Sequence, residues 1–221
     1  MEQTPAHDLY NDELLALMRP DYNHVVEVGV SRGSFAFGYR EMNPNARYTG
    51  IEINAEYAKA ASKYCTEVFV GNIEYFSDEH FTEFGKANCW VFSDVLEHLY
   101  DPWSLLKKIK QYSQPGTEIV AGIPNSQHWS LQALLCTGFF RYKDSGLLDR
   151  THIRFFSRQT IFELFEQNGY KIIQSIPRIF EEPPEPVVAA LKAMAVAVNA
   201  NPERVVEEAR PFQWLIRAVA V

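Results

Sequence analysis

Glu27, Gly29 and Gly33 form an E-x-G-x-x-x-G run directly behind the β-branched pair Val25-Val26, and Ser34-Phe35-Ala36-Phe37 reads as a helix opening. A strand that turns on glycine into a helix lets backbone approach a nucleoside closely. A dinucleotide turn needs G-x-G-x-x-G so that amides face a pyrophosphate, and a phosphate-cradling loop needs G-x-x-x-x-G-K-[ST]. Neither spacing is present. The Glu27 carboxylate repels phosphate and suits a cation. The turn therefore predicts a ligand that is a nucleoside without phosphates and with positive charge.

Further chemistry-bearing residues stand at the ends of strand-like runs. Glu52, followed by Ile53, lies 23 positions after Gly29, where an acidic side chain accepts from both ribose hydroxyls in nucleoside-binding α/β folds. Asn72 and Ile73 follow the third run. The Asn72 side chain can accept from an exocyclic amine and the Ile73 amide can donate to a ring nitrogen; the competing reading is that Asn72 caps the next helix. Ser93 and Asp94 end the fourth run, with Glu97 and His98 just beyond. A polar stretch, Asp149-Arg150-Thr151-His152-Ile153-Arg154, is too charged for an ordinary core segment.

These residues need a frame that brings strand ends together. Strand-like segments are predicted at 25–29, 48–53, 67–70, 89–92, 118–123, 170–176 and 212–220. Helices are predicted at 34–42, 55–64, 102–113 and 158–168, with a looser helical stretch from 73. This alternation implies βαβ crossovers and a doubly wound parallel sheet covered on both faces. Ligands then sit at the carboxyl ends of the strands, near the switch in strand order.

Residues 1–22 are expected to hold a capping helix, over about 8–18, with Tyr10 and Asn11 reaching over the ligand. Residues 124–156 lack clear periodicity and read as an irregular, substrate-covering insert. Residues 183–210 read as a helical insert before the last strand, after a Pro-rich link at 177–186. Its helices, about 187–199 and 202–209, either pack on the domain or form a dimer contact, so a monomer or a homodimer is expected.

The chain has 221 residues, enough for one α/β domain. Its net charge of −7 argues against a general nucleic-acid binder. No run of about 18 apolar residues predicts a membrane span. The acidic N-terminus does not read as a secretory signal, and three widely spaced cysteines read as reduced thiols, so a cytoplasmic protein is expected.

The glycine turn, the acidic end of the second strand and Asp94-Val95-Leu96-Glu97-His98-Leu99 together resemble class I S-adenosylmethionine-dependent methyltransferases. Gly146–Phe156 (GLLDRTHIRFF) and a helix ending in Asn168-Gly169-Tyr170 are similar to the members often associated with glycosyltransferases and with modification of sugars or other small metabolites. The resemblance covers roughly residues 8–176 and the final strand. It implies a Rossmann-like seven-stranded sheet ordered 3-2-1-4-5-7-6 with one antiparallel strand, S-adenosylmethionine as cofactor and S-adenosylhomocysteine as product. It places Glu27 and Gly29 at the methionine part, Glu52 at the ribose, and Asn72 and Ile73 at the adenine; Gly33 and Ile53 are also expected at the cofactor. Ser93 and Asp94 line the sulfonium side, and Tyr10 covers the cofactor. Asn72 stands where the family usually has an acidic residue, and Val30-Ser31-Arg32 fills the place of a common third glycine.

The acceptor is expected to be a small molecule with a hydroxyl, which must lose its proton near the transition state. His98, His152 and Asp149 are the expected proton-handling residues. Trp129, Phe139, Phe140, Tyr142, Phe155 and Phe156 are expected to wall the acceptor pocket. The alternatives are an amine or protein side-chain acceptor, favoured by Asp94, Glu97 and Asp149, and a non-catalytic cofactor-binding partner subunit. No paired acidic motif at ligand spacing stands out, so no metal is expected.

Overall fold

The computed structural model describes residues 9–221. In chain order the elements are α1 (Asp12–Leu15), β1 (His24–Val28), α2 (Ser34–Met42), β2 (Arg47–Glu52), α3 (Ala55–Ala61), β3 (Glu67–Val70), α4 (Asp78–Phe84) and β4 (Cys89–Ser93). There follow α5 (Pro102–Tyr112), β5 (Glu118–Pro124), α6 (Trp129–Thr137), α7 (Arg158–Glu166), β6 (Tyr170–Arg178), α8 (Glu185–Ala197), α9 (Pro202–Ala209) and β7 (Gln213–Ala220). Single 3₁₀ turns sit at Ile73–Tyr75 and Leu96–His98. The strands form a seven-stranded sheet in the order β3-β2-β1-β4-β5-β7-β6, with β7 antiparallel to both neighbours. This is the order the family resemblance implies.

Alternation along the central strands builds two cores. Val26, Trp90 and Phe92 point to one face, where Phe81, Phe84, Leu106 and Phe165 from α4, α5 and α7 cover them. Val25, Cys89 and Val91 point to the other, against Leu14, Phe35, Tyr39 and Tyr48. Successive residues of a strand point to opposite faces, so apolar runs buried on both sides are the pattern a parallel sheet requires. Each fully buried large side chain adds about 1.5–3 kcal/mol of burial free energy, and the sheet becomes a rigid platform for its loops.

Helix ends follow their local chemistry. Asp101 accepts from Ser104 N ahead of Pro102, and Ser157 with Thr160 closes a capping box on α7. Asn11 caps α1, a helix of only four residues. The longer helix expected over 8–18 is corrected on this point, since Leu17 and Met18 close 3₁₀-type bonds to Leu14 and Leu15 instead; residues 1–8 of that expectation lie outside the described residues. The 124–156 stretch is not wholly irregular either, because α6 lies within it. Trp129–Thr137 carries apolar residues around most of its circumference and is capped by His128 and by Gly138 at φ +74°, so no one-sided periodicity betrays it.

Among the described residues no helix is long and apolar enough to cross a membrane.

Candidate active site

The sheet reverses its order between β1 and β4, and the cleft opens above that point. It has a volume of about 550 Å³, within the size range of ligand pockets. Its floor is the turn after β1, where Gly29 N and Val30 N donate to Ile51 O at 2.8 and 3.2 Å. Gly29 has φ +73°, Ser31 φ +50° and Gly33 φ +86°, so three of five consecutive residues are left-handed. A side chain at Gly29 is excluded twice: an added Cβ would lie 2.7 Å from Val95 Cγ2.

Glu27, Gly29, Glu52, Ile53, Asn72, Ile73, Ser93, Asp94 and Tyr10 all line this cleft. Gly33 is not among the lining residues. It caps α2, and an added Cβ there would lie 3.0 Å from Ala61 Cα, so it serves helix packing. Arg32 is also outside the lining and lies over the Tyr57 ring, 5.2 Å from its centroid.

The carboxylates differ in environment. Glu27 is buried and its Oε2 accepts from Tyr48 Oη at 2.8 Å. Burial, aided by the charge of Glu52 and opposed by the Tyr48 bond, pushes its carboxyl up to about 8. Glu52 holds the turn and the following helix together by accepting from Ser31 N and Asn54 N, both at 2.8 Å. Asn72 caps its 3₁₀ turn by accepting from Glu74 N at 2.9 Å, so the capping role of its side chain is real; the same residue still faces the cleft.

Asp94 is a non-glycine residue at φ +56°, a conformation that persists where surroundings impose it. Gln213 Nε2 donates to Asp94 Oδ1 at 2.5 Å, and Gln213 Oε1 accepts from Asn11 Nδ2 at 3.2 Å. Gln213 thus links the end of β4 to the N-terminal segment, and Tyr10 stands edge-on to Phe35 at 6.3 Å. Sequence reasoning missed Gln213; its one signal is a polar residue facing inward at the start of an apolar strand.

The other end of the cleft joins the 3₁₀ turn after β4 to the insert. Glu97 O accepts from Ile153 N and Arg154 N, both at 3.0 Å. His98 and His152 rings meet edge-on with centroids 4.8 Å apart. Thr151 Oγ1 contacts His98 Nδ1 at 3.1 Å and donates to Asp149 Oδ1 at 2.6 Å. His98, His152 and Asp149, distant in sequence, are therefore one polar cluster on the cleft wall. Burial lowers the His98 imidazole and pulls His152 down to about 4, with His98 adding to the latter; both rings are neutral at pH 7. Glu97 was placed by motif but not in role: burial, then Asp94, hold its carboxyl well above the usual range.

The expected aromatic wall is also corrected. None of Trp129, Phe139, Phe140, Tyr142, Phe155 and Phe156 lines the cleft; the aromatic lining is Tyr10, Phe35, Tyr100, Phe180 and Phe212. Phe156 is in the core, and Phe139 and Tyr142 face solvent. The lining includes five carboxylates (Glu27, Glu52, Glu74, Asp94, Asp149) against one guanidinium, Arg178, which pairs with Glu13. Such a wall attracts a cation and repels phosphate.

A family model described as a methyltransferase domain matches residues 4–175. The chain belongs to this methyltransferase family. The fold of this methyltransferase is similar to magnesium protoporphyrin IX methyltransferase from Synechocystis PCC 6803 with bound SAH (TM-score 0.62, 11% identity, covering 95% of this chain and 81% of that one). It is also similar to a SAM-dependent methyltransferase from Archaeoglobus fulgidus (TM-score 0.60, 20% identity, 90% and 87% covered). A possible histamine N-methyltransferase from Thermotoga maritima is a third (TM-score 0.61, 16% identity, 95% and 86% covered). At these identities the likeness is one of fold. No curated protein sequence matches the chain at a significant level.

Proposed function

We propose that this methyltransferase transfers a methyl group from S-adenosylmethionine to a hydroxyl oxygen of a small-molecule acceptor, sugar-like or another metabolite. The observation that carries the choice of oxygen is the His98–Thr151–Asp149 chain with His152 beside it, a proton-handling cluster on the same wall as Ser93 and Asp94. A hydroxyl must shed a proton to react, whereas a neutral amine need not.

The residues fit the cofactor. Glu27 is a buried carboxylate, and Oε2 alone is engaged, with Tyr48, so its second oxygen suits the ammonium. Glu52 serves the ribose, Ile53 and Ile73 flank the adenine with Asn72 at its edge, and Ser93 and Asp94 border the sulfonium. When bound, S-adenosylmethionine supplies an already activated methyl group. The chain itself aligns the reactants and excludes water. Tyr10 covers the cofactor from the N-terminal side, and the 124–156 insert covers the acceptor through Gly146, Asp149 and His152. The enzyme works on free small molecules in the cytoplasm, as a monomer or homodimer.

Incubation with methyl-deuterated cofactor and panels of sugars, nucleotide sugars, phenols and amines, read by mass spectrometry, tests the reading. Label on a hydroxyl is expected; label only on amines would replace oxygen by nitrogen as the acceptor.

Two further results are expected. Glu52→Ala should weaken cofactor binding by about 1–3 kcal/mol, the range for hydrogen bonds to a charged group, as measured by calorimetry. Because the Glu27 carboxyl titrates near 8, it is mostly protonated at pH 7 in the free protein and must ionise to meet an ammonium. Cofactor binding at pH 7 should therefore release close to one proton, and Kd should rise by up to about tenfold per unit as pH falls from 8 to 6. Glu27→Gln should abolish that dependence. A Kd flat across this range in the native protein would detach Glu27 from the ammonium.

A further inference from the structure

Glu97 is 1% exposed, and neither carboxylate oxygen has a hydrogen-bond partner. A buried carboxyl left without donors costs free energy unless it is protonated or a cation balances its charge. What faces it is a pair of imidazoles. Glu97, His98 and His152 each present one ligand-competent atom, and these atoms lie within 4.8 Å of one another; His152 Nε2 is 3.9 Å from Glu97 Oε1.

The tether on His98 fixes which nitrogen is available. His98 Nδ1 lies 3.1 Å from the Thr151 carbonyl oxygen, which can only accept, so Nδ1 carries the proton. Nε2 then keeps its lone pair. An imidazole whose far N–H is held by a carbonyl is the support that metal-ligating histidines have. Thr151 is itself held by Asp149, and the backbone bonds from Ile153 and Arg154 to Glu97 O lock the insert to the turn. The three side chains therefore come from two segments fixed to each other.

We propose that Glu97, His98 and His152 bind a divalent transition-metal ion, with one coordination position open to the cleft. Two nitrogen donors and one carboxylate suit zinc, cobalt or nickel better than magnesium or calcium, and three protein ligands with an open position is the pattern of a reactive rather than a structural zinc site. Ligand atoms around one such ion stand about 3.3 Å apart, so the side chains close inward when it binds. This sets aside the sequence expectation of a metal-free site, because His152 lies 54 positions from His98 and no local spacing joins them.

The ion's role rests on the proposed oxygen acceptor; its binding does not. The acceptor hydroxyl takes the open position and the ion weakens its O–H bond. The proton passes to the Asp149 carboxylate, the oxygen lone pair forms the new O–C bond, and the S–C bond breaks with its electron pair left on sulfur.

The test uses the full chain, stripped with chelator, titrated with Co²⁺ followed by visible absorption and with Zn²⁺ followed by calorimetry, without cofactor or acceptor. One ion per chain is expected, with affinity lowered in Glu97→Gln and in His152→Ala by at least the roughly 10–100-fold that loss of an outer-shell partner costs, and unchanged in His80→Ala, a histidine outside the cleft. Thermal unfolding and cofactor titration establish that each variant is folded, and either of the two ligand variants suffices if the other is not. Absence of binding, or equal binding by native protein and both ligand variants, would overturn the site. Chelator-resistant methylation of a hydroxyl together with no ion binding would overturn the site and leave the oxygen acceptor standing. Specific ion binding with methylation of amines alone would uphold the site and overturn the acceptor.

Discussion

His98→Ala and His152→Ala should each cut turnover by about 10²–10⁴-fold and leave cofactor affinity nearly intact, because help with the acceptor proton is felt only in the transition state. The two rings are 4.8 Å apart on the cleft wall, whereas the residues proposed for the methionine, ribose and adenine parts of the cofactor lie at the ends of β1, β2 and β3. The expected signature is a fall in kcat with an unchanged Kd for S-adenosylhomocysteine. Full activity in both variants would mean an acceptor that arrives already ionised. Loss of cofactor binding in either would make that histidine structural.

Gly29→Val is expected to weaken cofactor binding about 10²-fold or more. Gly29 sits at φ +73°, where a β-branched residue is strained by about 1–3 kcal/mol, and its new Cβ would lie 2.7 Å from Val95 Cγ2. Relief requires the turn to move, which breaks the bond from Gly29 N to Ile51 O and displaces Ser31 from Glu52. Calorimetry on the folded variant checks this, and a Kd equal to that of the native protein would show that the turn does not shape the cofactor site.

The sequence was most legible where local chemistry and burial agree. Apolar, β-branched-rich runs marked the strands to within about two residues, and strand ends marked Glu27, Glu52, Ser93 and Asp94 as cleft residues. The sheet order came through the family resemblance rather than through periodicity. α6 escaped because its apolar residues run around the helix. The aromatic wall was misplaced because Phe139 and Tyr142 look like pocket material in sequence, but the segment turns them outward. Gly33 was read with Gly29 although only Gly29 of the two lines the cleft. Most hidden were pairings of distant residues: Gln213 holding Asp94, and Glu97 facing His152. Each is a polar group whose partner lies far along the chain, and spacing carries no trace of it.

The most direct test of the account is a calorimetric titration of the purified protein with S-adenosylmethionine, S-adenosylhomocysteine and NAD under one set of conditions. A site with Glu27 and Glu52 but without the dinucleotide glycine spacing should bind the first two at one equivalent per chain and NAD negligibly. Tight NAD binding with no binding of the sulfonium cofactor would contradict the account.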